Sequence, residues 1–181
     1  MENSNLLKKI KASYPLIAVV IVAVVIRLLP HPPNMAPVGG LALFCGAKLQ
    51  RKHAILVTLM VLLLSDLFLG WHDTMIFVYG SFVFTVIIGS LLIKKYSSIK
   101  AVSAVFVSSI LFYLITNFGV WLVGDLYPKT AQGLMQAYIL AIPFFKNSLL
   151  GDFVYTLCFF KGYQLLGSLN LDKLNLLKAK R

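Results

Sequence analysis

Long apolar runs, set apart by small clusters of positive charge, constrain this chain more than any other feature of its sequence. Residues 16–26 and 54–64 carry no charge and do not alternate polar with apolar side chains. A membrane β-barrel needs short alternating segments, so these runs read as helices that cross lipid. Composition agrees. The chain is 59% hydrophobic and 13% charged, against about 25% charged in a typical soluble domain, and its mean hydropathy is +0.86. The expected fold class is an all-α integral membrane protein, a bundle of six transmembrane helices in one polytopic domain over residues 1–181.

The spans are expected at about 14–29, 38–47, 54–69, 74–93, 101–123 and 148–166. Prolines 30, 32, 33 and 37 keep the loop after the first span from being helical throughout. The stretch 132–145 is apolar but short and holds Pro143, so it reads as an interfacial or re-entrant helix. The tail, 170–181, is basic and amphipathic, with Leu171, Leu174 and Leu177 at helical spacing. Lys8, Lys9 and Lys11 ahead of an apolar run imitate a signal peptide. Arg27, Leu28, Leu29 and Pro30 follow it in place of a small-residue cleavage site, so an uncleaved first span is expected.

The basic residues orient the bundle. With the N-terminus inside, fourteen of the 17 Lys and Arg fall on the inner side, and Arg27, Lys129 and Lys146 on the outer side. Cytoplasmic loops collect such an excess, so both termini are expected in the cytoplasm. The same distribution accounts for the net charge of +11, and no nucleic-acid partner is inferred from it. Cys45 and Cys158 both lie in apolar stretches and read as buried small hydrophobes. No metal-ligand spacing, catalytic nucleophile–base pair or cofactor motif stands out, and no nucleotide-binding P-loop is present.

Polar side chains in a span need a reason, because the bilayer core offers no water. Four elements carry such groups at the outer end. Asn34 lies in the first outer loop, Asp66 near the end of the third span, Asn117 in the fifth, and Asn147 and Asp152 at the start of the sixth. Tyr113, Asn117 and Trp121 share a helix face, as do Ser148, Asp152 and Tyr155. Met75 and Tyr79 form a shorter stripe. Together they predict an outward-facing polar and aromatic pocket built from Asn34, Asp66, Tyr79, Asn117, Trp121, Asn147, Asp152 and Tyr155. Structural uses compete. Asp66 has Arg27 as an available partner, Asp152 is placed to cap its own helix, Tyr113 and Trp121 suit an interfacial belt, and His72 beside Asp73 suits a solvated turn. Ala42 and Gly46 make a small-xxx-small step, which favours close helix packing, either internal or as a face for a docking partner.

Several stretches are distinctive together: Arg27 to Asn34, Pro37 to Phe44, Ser65-Asp66, Thr116 to Trp121, Tyr127-Pro128 and Ile142 to Tyr155. In these the chain resembles an uncharacterised family of small bacterial membrane proteins with a domain of unknown function. That family is similar in size and layout to the S-components of energy-coupling-factor vitamin transporters. The resemblance implies six spans of a bacterial inner membrane, a vitamin-like solute bound from outside, a loop at 31–37 that covers it, and a transport module of a second membrane subunit and two ATPases. S-components often dock through an Ala-x-x-x-Ala step in span one, where this chain has Ala18 and Ala23, five apart. The expected function is solute binding and uptake rather than enzymology. The alternatives are an integral-membrane enzyme on a lipid-linked substrate, with His72 and Asp66 or Asp152 as acid–base groups, or a structural or assembly protein.

Overall fold

Where the apolar runs are free of proline the backbone closes its own hydrogen bonds as helix, and prolines, glycines and hydroxyl caps set the ends. A computed structural model describes residues 20–93 and 97–179, with side chains as far as Leu165. The N-terminal lysines, the first residues of the first predicted span, Lys94, Lys95, Lys180, Arg181 and the leucine pattern of the tail lie outside the described side chains. Helix α1 occupies 20–28. It is followed by α2 (Val38–Lys48), α3 (Arg51–Leu69), α4 (Met75–Leu92), α5 (Ser98–Val123), α6 (Ala131–Leu140) and α7 (Ile142–Ala179). No strand occurs among the described residues.

The boundaries have local causes. Pro37 is the N-cap of α2. Gly70 ends α3 with φ +94°, a conformation that costs other residues far more. The Ser97 hydroxyl accepts from Lys100 N at the start of α5, and Thr130 accepts from Gly133 N (3.1 Å) at the start of α6. Such caps satisfy donors that the helix itself leaves open. Thr130→Ala is therefore expected to cost about 1 kcal/mol, read as a lowered denaturation midpoint of the purified protein, with Thr130→Ser avoiding most of that loss.

Two sequence expectations need correction here. The stretch 132–145 is not one interrupted helix: the break falls at Ala141, and Pro143 sits in the first turn of α7. A proline is tolerated there because first-turn N–H groups have no intrahelical acceptor. Accordingly the last long helix starts at Ile142 rather than 148 and continues through the tail to Ala179; α6 and the described length of α7 meet at a bend of 47°. Of the two cysteines, Cys45 is buried but Cys158 is exposed on α7, and both are free thiols.

Helices α3, α4 and α5 are each long and apolar enough to cross a membrane, and the bent α6–α7 pair makes a fourth if counted as one span. Their outward faces are apolar too. In the most apolar stretch of α4 only 28% of residues are buried, and Phe68, Ile76 and Ile99 are each more than 70% exposed. Apolar surface on both the inner and outer faces is what lipid permits and water does not. The protein is an all-helical membrane protein.

Helix α2 lies at the centre, touching α3, α4, α5 and α7. Eight of its 11 residues are buried. At 1.5 Å per residue it is about 16 Å long, roughly half the hydrocarbon thickness, so as a helix it matches the expected 38–47 but it is too short to span. Its small residues are used internally. Ala42 is fully buried, and Gly46 lies directly against the Val86 carbonyl of α4. That burial removes Ala42 and Gly46 as a docking face for a partner.

Candidate functional site

A central helix of half length leaves the rest of the bundle axis unfilled, and the loop 29–37 crosses above the gap. The result is a cavity of about 570 Å³, inside the range usual for small-molecule sites. Its floor is the first turn of α2, at Val38 and Gly39. Its walls are Val78, Phe82 and Thr85 of α4; Phe112, Thr116, Asn117 and Val120 of α5; and Phe144, Ser148 and Asp152 of α7. Residues of α6 and of the loops complete it, among them Asn34, His72 and Tyr127. Phe112 is eleven residues from the end of α5, so the cavity reaches about 16 Å into the bundle.

The loop above is held from both sides. His31 places its two ring nitrogens 3.1 Å from Arg27 O and 2.9 Å from Pro32 O. Met35 N donates to Pro32 O, and Asn34 adopts φ +62°, a left-handed conformation that asparagine tolerates better than most residues. Asn147 at the start of α7 donates from Nδ2 to Pro33 O (3.0 Å).

The eight residues expected to form the pocket divide into two groups. Asn34, Asn117 and Asp152 line the cavity. Asn117 donates from Nδ2 to Tyr113 O (2.8 Å) within its own helix, which leaves its side-chain carbonyl as an acceptor. Asp152 is ten residues inside α7 and so does not cap its own helix start. Its Oδ2 accepts from Ser109 (2.8 Å), and its Oδ1 lies against Gly39, in the space a β-carbon would take. A carboxylate is favoured beside a helix N-terminus, and the start it faces is that of α2.

The other five do not line the cavity. Asp66 is buried and ion-paired to Arg27 (Nη1–Oδ1 2.8 Å), and Tyr79 donates to its Oδ2 (2.8 Å). Arg27 also donates to Ser65 Oγ and to Leu62 O. Asp66 and Tyr79 are thus consumed by one network tying α1, α3 and α4 together. Trp121 donates from Nε1 to Pro128 O, and Lys129 donates to Trp121 O and Gly124 O, closing the α5–α6 turn. Asn147 holds the loop. Tyr155 packs on the backbone of α2 at Gly40. Tyr113, from the same α5 face, donates to Tyr138 O (2.6 Å), and Tyr138 donates back to Leu114 O (3.0 Å).

The sequence reading missed Gly39, Thr85, Thr116 and the ring pair Phe82–Phe112, whose centroids are 5.1 Å apart. Phe112, Thr116 and Val120 recur every fourth residue, a face adjacent to that of Asn117, and this spacing was the available signal. Ser148, noted beside Asp152, is also in the wall. The lining offers aromatic faces, amide and hydroxyl groups, one carboxylate, the Arg27 guanidinium and the His31 and His72 imidazoles. Among the described residues no three His, Cys, Asp or Glu side chains gather so as to hold a metal ion.

One family model matches residues 8–174, described as a family of unknown function (DUF6580). No curated protein and no solved structure matches.

Proposed function

The chain belongs to the family of unknown function DUF6580, and we propose from its own geometry that it binds a small solute in the central cavity, as an uptake subunit rather than an enzyme. The observation that carries this is the cavity itself. Half a helix is missing from the bundle axis, and the space is ringed by aromatic faces with Asn34, Thr116, Asn117, Ser148 and Asp152 converging on it. Membrane proteins that only pack helices have no use for such a void, since empty volume forfeits packing energy. Direction comes from charge. Lys48, Arg51, Lys52 and Lys100 lie at the helix ends opposite the cavity, so the positive-inside rule makes the cavity end external. The same rule favours both termini in the cytoplasm and so an even number of passes; the S-component-like layout makes that six, in a bacterial inner membrane. In that topology α1 is the first pass, and α2 with the 29–37 loop is the second. Without a P-loop the chain draws energy from elsewhere, and a transport module with a membrane subunit and ATPases is the partner that an S-component-like role calls for.

The test is mass spectrometry of small molecules released from the purified protein, wild type and Asn117→Ala side by side. A solute near one per chain is expected from the wild type. Losing the Asn117 acceptor is expected to weaken binding about tenfold, the equivalent of 1.4 kcal/mol and of one neutral hydrogen bond. Equal occupancy in Asn117→Ala puts the ligand outside the cavity. A cavity filled by lipid chains alone sinks the solute reading.

A further inference from the structure

Two carboxylates lie inside the bundle, and only one has a cation. Asp66 has Arg27. Asp152 has the Ser109 hydroxyl and, among the described residues, no ion pair. The basic side chains at its end of the bundle do not supply one. Arg27 is committed to Asp66 and Lys129 to the carbonyls that end α5, while Lys146 is exposed six residues earlier on the same helix, about 120° around it from Asp152. The start of α2 offers Asp152 a partial positive end of about half a charge, not a counter-ion. A carboxylate taken out of water and left unpaired is costly, and this one faces a cavity with room for the missing partner.

We infer that the solute bound in this cavity carries a protonated amine that pairs with Asp152, on a flat apolar body that lies among Phe82, Phe112 and Phe144. This deepens the solute-binding reading and rests on it. The rings favour a cation independently of the carboxylate, because an aromatic face attracts positive charge and also stacks on a planar group. Gly39 belongs to the same arrangement, since any side chain there would occupy the place of Asp152 Oδ1. The other nitrogen-bearing side chains in the lining, Arg27, His31 and His72, lie toward the loops, so an amine seated at Asp152 points its far end at them and leaves its charge at the floor.

The experiment is equilibrium binding to the full chain in lipid nanodiscs with six probes. These are tryptamine and phenethylamine, their neutral isosteres 3-propylindole and propylbenzene, and the acids indole-3-propanoate and 3-phenylpropanoate. At least one amine is expected to bind tenfold or more tightly than its neutral and acidic counterparts. Asp152→Asn, which keeps the shape and still accepts from Ser109, is expected to erase that preference while leaving the neutral probes as they were, which also reports a folded cavity. Ser109→Ala is expected to keep the preference. A neutral or acidic probe binding as tightly as its amine overturns the inference but leaves the cavity reading standing. So does an amine preference that survives in Asp152→Asn. Binding by none of the six overturns it as well, and the released-solute measurement then decides separately whether the cavity holds a ligand.

Discussion

Arg27→Ala is expected to lose about 3–5 kcal/mol of stability, whereas Arg27→Met combined with Asp66→Leu loses little or none. The asymmetry comes from where the charge is left. Asp66 is 1% exposed, with one oxygen on Arg27 and the other on Tyr79. Removing Arg27 strands that carboxylate in an apolar bundle with only a phenol to meet it. Removing both charges removes the desolvation cost along with the attraction. Tyr79→Phe takes away one neutral donor to a charged group and is expected to cost about 1.5–3 kcal/mol. Equilibrium unfolding in mixed micelles reads all four proteins on one scale. Should the double variant fall as far as Arg27→Ala, the pair contributes through packing of α1 on α3, and the account of a stranded charge is wrong. Because Asp66 and Tyr79 stand outside the cavity, Tyr79→Phe is also expected to leave solute binding within about twofold, a difference of about 0.4 kcal/mol.

The membrane character, the helices α3, α4 and α5 and the family were all legible before any coordinates, because each rests on local information: uninterrupted apolar runs and a handful of distinctive stretches. The site was legible only in part, and the reason is geometric. Sequence spacing gives the face of a helix but not the neighbour it meets. Tyr113, Asn117 and Trp121 do share a face, yet Tyr113 and Trp121 spend their donors on Tyr138 and Pro128 carbonyls while Asn117 alone of the three reaches the cavity. Depth misled in the same way. Asp66 lies three residues from the end of α3 and meets Arg27, 39 positions away in sequence, while Asp152 lies ten residues inside α7 and meets a glycine at the start of α2. That meeting explains the least legible feature, the cavity, which exists because α2 stops half way. A stretch of 11 residues rich in glycine and alanine signals close packing and, by its length, a short span, whereas its consequence in the bundle is empty space above its N-terminus.

Gly89→Ala and Gly46→Ala are expected to be the most damaging small substitutions in the bundle interior, each costing about 1–3 kcal/mol, and Gly89→Leu more. The two glycines form a reciprocal crossing of α2 and α4. A β-carbon on Gly46 would meet the Val86 carbonyl, with Val86 C at 3.0 Å and Ser90 N at 3.1 Å; one on Gly89 would meet the Leu43 carbonyl, with Leu43 Cα at 2.9 Å. Every one of these atoms is backbone, so no side chain can turn aside and the helices must separate. Gly39 differs, because there the obstructing group is the Asp152 carboxyl, which can swing, so Gly39→Ala should alter the cavity more than the stability. Gly80 supplies the control. A β-carbon there meets nothing within 4 Å, and exchanging glycine for alanine inside a helix gains up to about 1 kcal/mol, so Gly80→Ala should be neutral or stabilising. Once one glycine at the crossing is replaced the helices are already apart, and the second replacement should cost less than it does alone, as for any pair of sites in contact. Unfolding midpoints of Gly46→Ala, Gly89→Ala, their combination and Gly80→Ala measure all of this together. Additive losses in the combination would mean that each glycine relieves a separate clash, and α2 would then be held at the cavity floor by α7 rather than by its crossing with α4.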